Sequence, residues 1–185
     1  MTTSLDKLFE DLTRETAADS KPLPPVESWS PPLSGDIDIV ITRAGDWIHE
    51  GDPIQRPPLI KLFSSILKRE GDEYFLVTPV EKWRIQVEDV PFQVTGLEVA
   101  NREGVQVLIF ETSVGNKVIA GPEHPLRVAI GSEGEPSPYV MIRGGMEGLV
   151  ARAVFYRLAE LAVPGPEQEK AVHGVYSLGQ FYPLE

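Results

Sequence analysis

The chain has 185 residues, 42% of them hydrophobic, no cysteine, and a formal charge of -11 at pH 7. The length admits one well-cored domain or two small ones, and the absence of thiols excludes disulfides, thiolate catalysis and thiolate metal sites. The acidic balance repels a phosphate backbone, so nucleic acid is not expected as a partner. No apolar run reaches the roughly 18 residues that span a bilayer, so no membrane is expected either.

The opening MTTSLDKLFEDL lacks the basic and then apolar regions of a secretory leader, and a cytoplasmic location is expected. Leu5, Leu8, Phe9 and Leu12 fall at i, i+3, i+4 and i+7, predicting a short amphipathic helix from Thr3 to Leu12. From Thr13 to Leu33 the prolines at 22, 24, 25, 31 and 32 favour extended backbone, and Trp29 among them predicts an arm wrapped on the body. Residues 1–34 are therefore taken as an N-terminal helix and arm.

Ile37, Ile39 and Ile41 alternate with polar neighbours, and Ala44-Gly45-Asp46 turns the chain into Trp47 and Ile48, predicting a β-hairpin. Pro57-Pro58 suits the first turn of a helix, and Leu59, Leu62, Phe63, Ile66 and Leu67 predict that it continues, with Lys61, Lys68 and Arg69 on its polar side, to Gly71. Arg56, Lys61, Lys68 and Arg69 against the single Glu70 make this the one basic patch. The stretch from Tyr74 to Phe92 predicts two strands meeting at Thr78 to Lys82, one for each half of the chain, with Pro79 as the break. Residues 35–90 form the first expected repeat and 91–185 the second.

In the second, Phe92 to Ala100 and Val105 to Thr112 predict strands joined at Asn101 to Gly104, and Lys117 to Ala120 extends the meander past Gly115-Asn116. Pro122 to Pro138 is read as loop around the short apolar island Leu126 to Ile130, followed by a strand at Tyr139 to Ile142. Met146 to Val163 is read as a largely buried helix, because Glu147, Arg152, Arg157 and Glu160 share no side, and His173 to Leu184 as a closing strand. Thr42, Gly45, Ile48 and Gly51 recur as Thr112, Gly115, Val118 and Gly121, offset by 70, which suggests duplication. The expected fold class is α+β: a duplicated hairpin-helix-strand motif, mostly antiparallel sheet, with the C-terminal half a meander and a buried helix.

Arg143-Gly144-Gly145 before a helix would offer an anion unpaired N-H groups and a guanidinium. Arg56 precedes the other helix in the same way, although Pro57 and Pro58 remove two backbone donors there. Thr78, Glu81 and Lys82 lie where the repeats join, and Trp47 is core or the wall of a groove, where it could stack on a flat ring. His49-Glu50, His124 and His173 lack metal-ligand spacing, so no metal is assigned; no cofactor is assigned, and no catalytic residue, since neither a nucleophile elbow nor a dinucleotide fingerprint is present.

Pro25-Val26, Trp29, Pro31, Gly35-Asp36-Ile37-Asp38, Trp47 with His49-Glu50-Gly51, Pro53-Ile54 with Arg56 and Leu62-Phe63 make up the first part of a wider pattern. With LVTPVEK from Leu76, VEDVPF from Val87, Arg143, Gly145, Phe155-Tyr156 and Gly174, the chain resembles a bacterial family of uncharacterised proteins, domain of unknown function 1285. The resemblance implies a duplicated α/β motif, a C-terminal half superficially like a pleckstrin-homology fold, and a nucleotide-like ligand held between the halves in signal transduction. The leading expectation is thus a ligand-binding or sensor protein for a small anionic molecule. The alternatives are an adaptor that binds a protein partner and, third, an enzyme whose reaction no motif specifies.

Overall fold

Strand alternation and turn chemistry dominate the architecture, as seen in a computed structural model that describes residues 22–166 and 172–185. The helix expected from Thr3 to Leu12 lies outside the described residues. The chain divides into two compact units, one holding the described residues through Val40 together with Asp46–Gln86, the other Ile41–Gly45 and Val87–Glu185.

In the first unit, β1 (Gly35–Ile41) turns into β2 (Trp47–His49) and then the short β3 (Asp52–Pro53). Helix α1 (Pro57–Ser65) follows, then β4 (Leu67–Glu70), β5 (Glu73–Val77) and β6 (Lys82–Val87). The sheet order is β3-β2-β1-β6-β5-β4. Ile39 and Ile41 are fully buried, and Trp47 stacks on Phe63 of α1 with ring centroids 6.2 Å apart. Among the described residues of the N-terminal arm, Val26 and Pro31 are buried, Trp29 is half-buried, and the Trp29 carbonyl accepts a hydrogen bond from Lys68 Nζ at 2.9 Å.

The second unit runs through β7 (Phe92–Arg102), β8 (Val105–Thr112), β9 (Lys117–Ile119), β10 (Leu126–Ile130), β11 (Pro136–Arg143) and β12 (Met146–Val150). Helix α2 (Arg152–Glu160) and a small sheet of β13 (Val163–Pro164), β14 (His173–Ser177) and β15 (Gln180–Pro183) complete it. Its main sheet, taken from the far edge, is ordered β9-β8-β7-β12-β11-β10. Two three-stranded meanders are thus joined through the first strand of one and the last of the other, as in the first unit. The joining strands β12 and β7 run parallel, Gly148 opposite Phe92 and Val150 opposite Val94. The amide of Ser34 bonds the Lys82 carbonyl and that of Glu88 bonds the Ile41 carbonyl, which gives β1 and β6 the same sense.

Duplication is therefore present, and its register differs from the one the 70-residue offset suggests. The Thr42 and Thr112 turns do share a geometry, with Gly45 and Gly115 at φ 93° and 88° and each amide bonded to the threonine carbonyl at 2.9 and 3.0 Å. One lies between the first and second strands of its meander, however, and the other between the second and third.

Several expected elements differ for reasons of long-range pairing. Helix α1 stops at Ser65, because the Ile66 carbonyl accepts the Val77 amide and Leu67 pairs with Leu76, turning Lys68 and Arg69 into strand residues. The basic residues of this region consequently share no helix face. The central stretch places both of its strands, β5 and β6, in the first sheet rather than one in each half. Leu126 to Ile130 is a strand, pairing with β11. Met146 to Val163 is not one helix: its first residues form β12, and α2 buries only Val154 and Leu158, so the expected buried helix is a surface helix. His173 to Leu184 is a hairpin, with Leu178 and Gly179 at positive φ in its turn. Ser177 anchors that hairpin, accepting the Leu108 amide at 3.0 Å and donating to the Ala120 carbonyl at 2.8 Å in a fully buried position. No helix among the described residues is long and apolar enough to cross a membrane.

Candidate functional site

The residues singled out from the sequence are placed in separate local settings. Trp47 is core, stacked on Phe63, and its ring is closed to a ligand. Arg56 is exposed at the N-cap of α1, as expected. Thr78 is buried, and its hydroxyl accepts the amides of Val80 and Glu81 at 3.3 and 3.0 Å, which fixes the β5–β6 turn. Lys82 does not pair with Glu81. Its Nζ lies 2.9 Å from Glu70 Oε2 and 4.8 Å from the Phe75 ring centre, while Lys68 approaches the other Glu70 oxygen at 3.4 Å. The hydrogen bond from Lys82, with that from Lys68, holds the Glu70 carboxyl below its ordinary range against the effect of burial.

Arg143 ends β11, with its guanidinium 5.4 Å from the Phe92 ring centre, and Gly144 and Gly145 form the turn into β12 at φ 56° and 73°. This corrects the expected helix start. Paired glycines here supply the left-handed backbone of a two-residue hairpin, and strand β12 separates them from α2. Thr78, Glu81 and Lys82 share one turn and Arg143, Gly144 and Gly145 another.

The second unit has a groove of about 670 Å³ lined by other residues. One wall is the first turn of α2, with Arg152, Phe155 and Tyr156; the opposite wall holds Arg43, Gln93 and Ser137. Helix α2 begins after Ala151, which carries no capping side chain, so the first amides of the helix are left to solvent or to a ligand. Arg152 has no ion pair among the described residues, and its guanidinium lies 6.0 Å from the ring centre of Tyr156, a residue that is 58% exposed.

Arg43 is held firmly by its surroundings. Its amide bonds Glu88 Oε2 at 2.8 Å, its guanidinium pairs with Asp89 and donates to Ser137 Oγ at 3.0 Å and to the Tyr139 hydroxyl at 3.3 Å, and Gln93 Nε2 donates to its carbonyl at 2.7 Å. Tyr139 in turn donates to Asp89 at 2.8 Å, and Arg127, bidentate on Glu147 at 2.7 Å, lies 4.4 Å from the Tyr139 ring centre. The hydrogen bond to the Tyr139 hydroxyl, helped by the Asp89 carboxylate and opposed by burial, raises the Arg43 pKa further above neutrality. The groove therefore has one neutralised, fixed cation and one available cation, Arg152, beside an aromatic surface. Glu135 lies on the rim.

Sequence reasoning passed over this set. Arg43 sits inside the Thr42–Gly45 turn, Asp89 inside VEDVPF, and Arg152 was assigned to a helix with no distinct faces. The signal that could have found them is the clustering of Arg152, Phe155 and Tyr156 within one turn of a helix that starts at Ala151.

None of the curated proteins matches the chain. Residues 24–90 match the family model for the N-terminal domain of DUF1285, a domain of unknown function, and residues 91–184 match the model for the DUF1285 C-terminal domain. The crystal structure of a DUF1285 family protein from Silicibacter pomeroyi DSS-3 is similar, with a TM-score of 0.82 and 47% identity over 96% of this chain and 93% of that one. A second, from Shewanella baltica OS155, gives a TM-score of 0.52 and 33% identity over 66% of this chain and 90% of that one. With residues 24–90 and 91–184 matched by the two family models and 96% of the chain aligned to a solved relative, the chain belongs to the DUF1285 family.

Proposed function

We propose that the protein is a ligand-binding sensor that takes a small anionic molecule carrying a flat ring, such as a nucleotide, in the groove of its second unit. The observation that carries this is the pairing of an available guanidinium, Arg152, with the exposed Tyr156 ring in a groove of about 670 Å³, within the roughly 300–1,000 Å³ typical of small-molecule sites. An anion at the start of α2 meets both the Arg152 charge and the positive end of the helix, while the neighbouring rings and the amide of Gln93 address its body. Arg43 supports the opposite wall rather than the charge, because Asp89 already balances it.

The ligand class is the one expected from the sequence, and this reading rests its recognition on a different set of residues. A cytoplasmic role in signal transduction and a pleckstrin-like character for the second unit belong to the same proposal.

The test is calorimetric titration of the full chain with a panel of nucleotides and aromatic carboxylates. Arg152→Ala should weaken the best ligand about ten- to hundredfold, the loss of one charge-assisted contact of roughly 1.5–3 kcal/mol, and leave the ligand-free melting temperature unchanged. Equal affinity in wild type and variant would remove the groove from consideration and put the adaptor reading first.

A further inference from the structure

Phe155 lines two hollows, not one. It borders the groove bounded by Arg152 and Tyr156 and also a smaller hollow of about 360 Å³, lined by Ala159, Ala162, His173, Leu184 and Glu185. Both follow α2. Its first turn serves the groove, and Ala159 in its last turn and Ala162, two residues past its end, serve the hollow. At a rise of about 1.5 Å per residue, Arg152 and Ala159 are roughly 10 Å apart along the helix.

The two ends differ in charge. Arg152 stands at the first without a carboxylate partner among the described residues. At the second is Glu185, whose Oε1 accepts both the amide and the Nδ1 of His173 at 2.8 Å. Those hydrogen bonds hold the Glu185 carboxyl below its ordinary range, so it stays anionic at neutral pH. Between the ends the surface is ring and small aliphatic: Phe155, Ala159, Ala162.

We propose that the two hollows together form one site for an amphipathic organic anion, with its carboxylate, sulfonate or phosphate at Arg152 and an apolar body of about 10 Å passing over Phe155 into the hollow beside Ala159. The charge difference sets the direction, since a second acid at the far end would face Glu185. Small alanines on α2 leave room for the body, where a larger residue would close the path. The inference rests on the groove reading above and narrows its ligand from any flat-ringed anion to one with an extended apolar portion.

Two probes separate the claims when titrated into wild-type full chain, Arg152→Ala and Ala159→Trp. Anilinonaphthalene sulfonate has a charge and an apolar body long enough to reach past Phe155; benzenesulfonate has the charge and a single ring. Ala159 is exposed, so the tryptophan is expected to leave folding intact and fill the hollow. The expected result is one bound anilinonaphthalene sulfonate per chain, weakened about tenfold or more by Ala159→Trp, with benzenesulfonate binding changed less than about twofold by that variant and both probes weakened by Arg152→Ala. If Ala159→Trp leaves anilinonaphthalene sulfonate unchanged, or weakens both probes alike, the extended site is wrong while the groove stands. If neither probe binds wild type, or Arg152→Ala alters neither, the groove reading falls and this inference with it.

Discussion

Replacing Glu70 by glutamine tests the charge cluster that ties strand β4 and the N-terminal arm together in the first unit. Lys68 and Lys82 have side chains only 8% and 17% exposed, and both direct their ammonium groups at Glu70, which is 36% exposed. Breaking a fully buried pair costs about 3–5 kcal/mol, whereas an exposed pair is worth about 0–1 kcal/mol. Glu70 lies between those limits. Glutamine keeps the shape and an acceptor oxygen, and Lys68 retains the Trp29 carbonyl, so the expected loss is about 1–2 kcal/mol. For a chain of this size that lowers the melting temperature by roughly 2–8 °C at pH 7. The sign with pH follows from the lowered carboxyl: wild type gains its full advantage above the ordinary glutamate range and loses it as pH falls through the depressed folded value. Differential scanning calorimetry of both proteins from pH 7 downward should show two curves that converge in acid. A constant offset at every pH, or no offset at pH 7, would refute the account of this cluster as an electrostatic tie.

Ser177→Ala removes the group that satisfies both the Leu108 amide and the Ala120 carbonyl in a fully buried position, and should cost about 2–3 kcal/mol in urea unfolding; a midpoint equal to wild type would deny the hairpin its anchoring role. Trp29→Ala should cost about 1–2 kcal/mol, less than the roughly 3–5 kcal/mol of a fully buried tryptophan, because the ring is only half-buried. Protease protection of the arm near residue 29 should fall in that variant, and unchanged cleavage would show that the ring does not hold it. Gly45→Ala places a methyl group against the Gln93 side chain at a backbone φ of 93°, so it should destabilise the Arg43 turn by at least about 1 kcal/mol, read from the melting temperature.

Local signals determined much of the strand framework. Ile37, Ile39 and Ile41 alternate and then meet a turn that needs glycine at Gly45; Phe75 and Val77 alternate and stop at Pro79; Asn101 to Gly104 and Gly115-Asn116 mark the second meander. The start of α1 at Pro57 was equally readable, since proline there gives up no helical hydrogen bond. What the sequence left undecided is whatever a distant strand decides. Leu67 continues a helical apolar spacing, yet pairing with Leu76 makes it strand. Met146 to Val150 has helix-like neighbours, yet β7 captures it in parallel, and Gly148 is needed there because a Cβ would press on Val94 and Phe92. The candidate site shows the same division. Arg56 at a helix start is a local fact, whereas the bond between Arg43 and Asp89 joins residues 46 positions apart, and only the tertiary fold brings Arg43 to the groove that Arg152 also lines. Residue spacing reports the preferences of a segment within a few turns of itself, and the partner that overrides those preferences is chosen by burial and backbone hydrogen bonding across the fold.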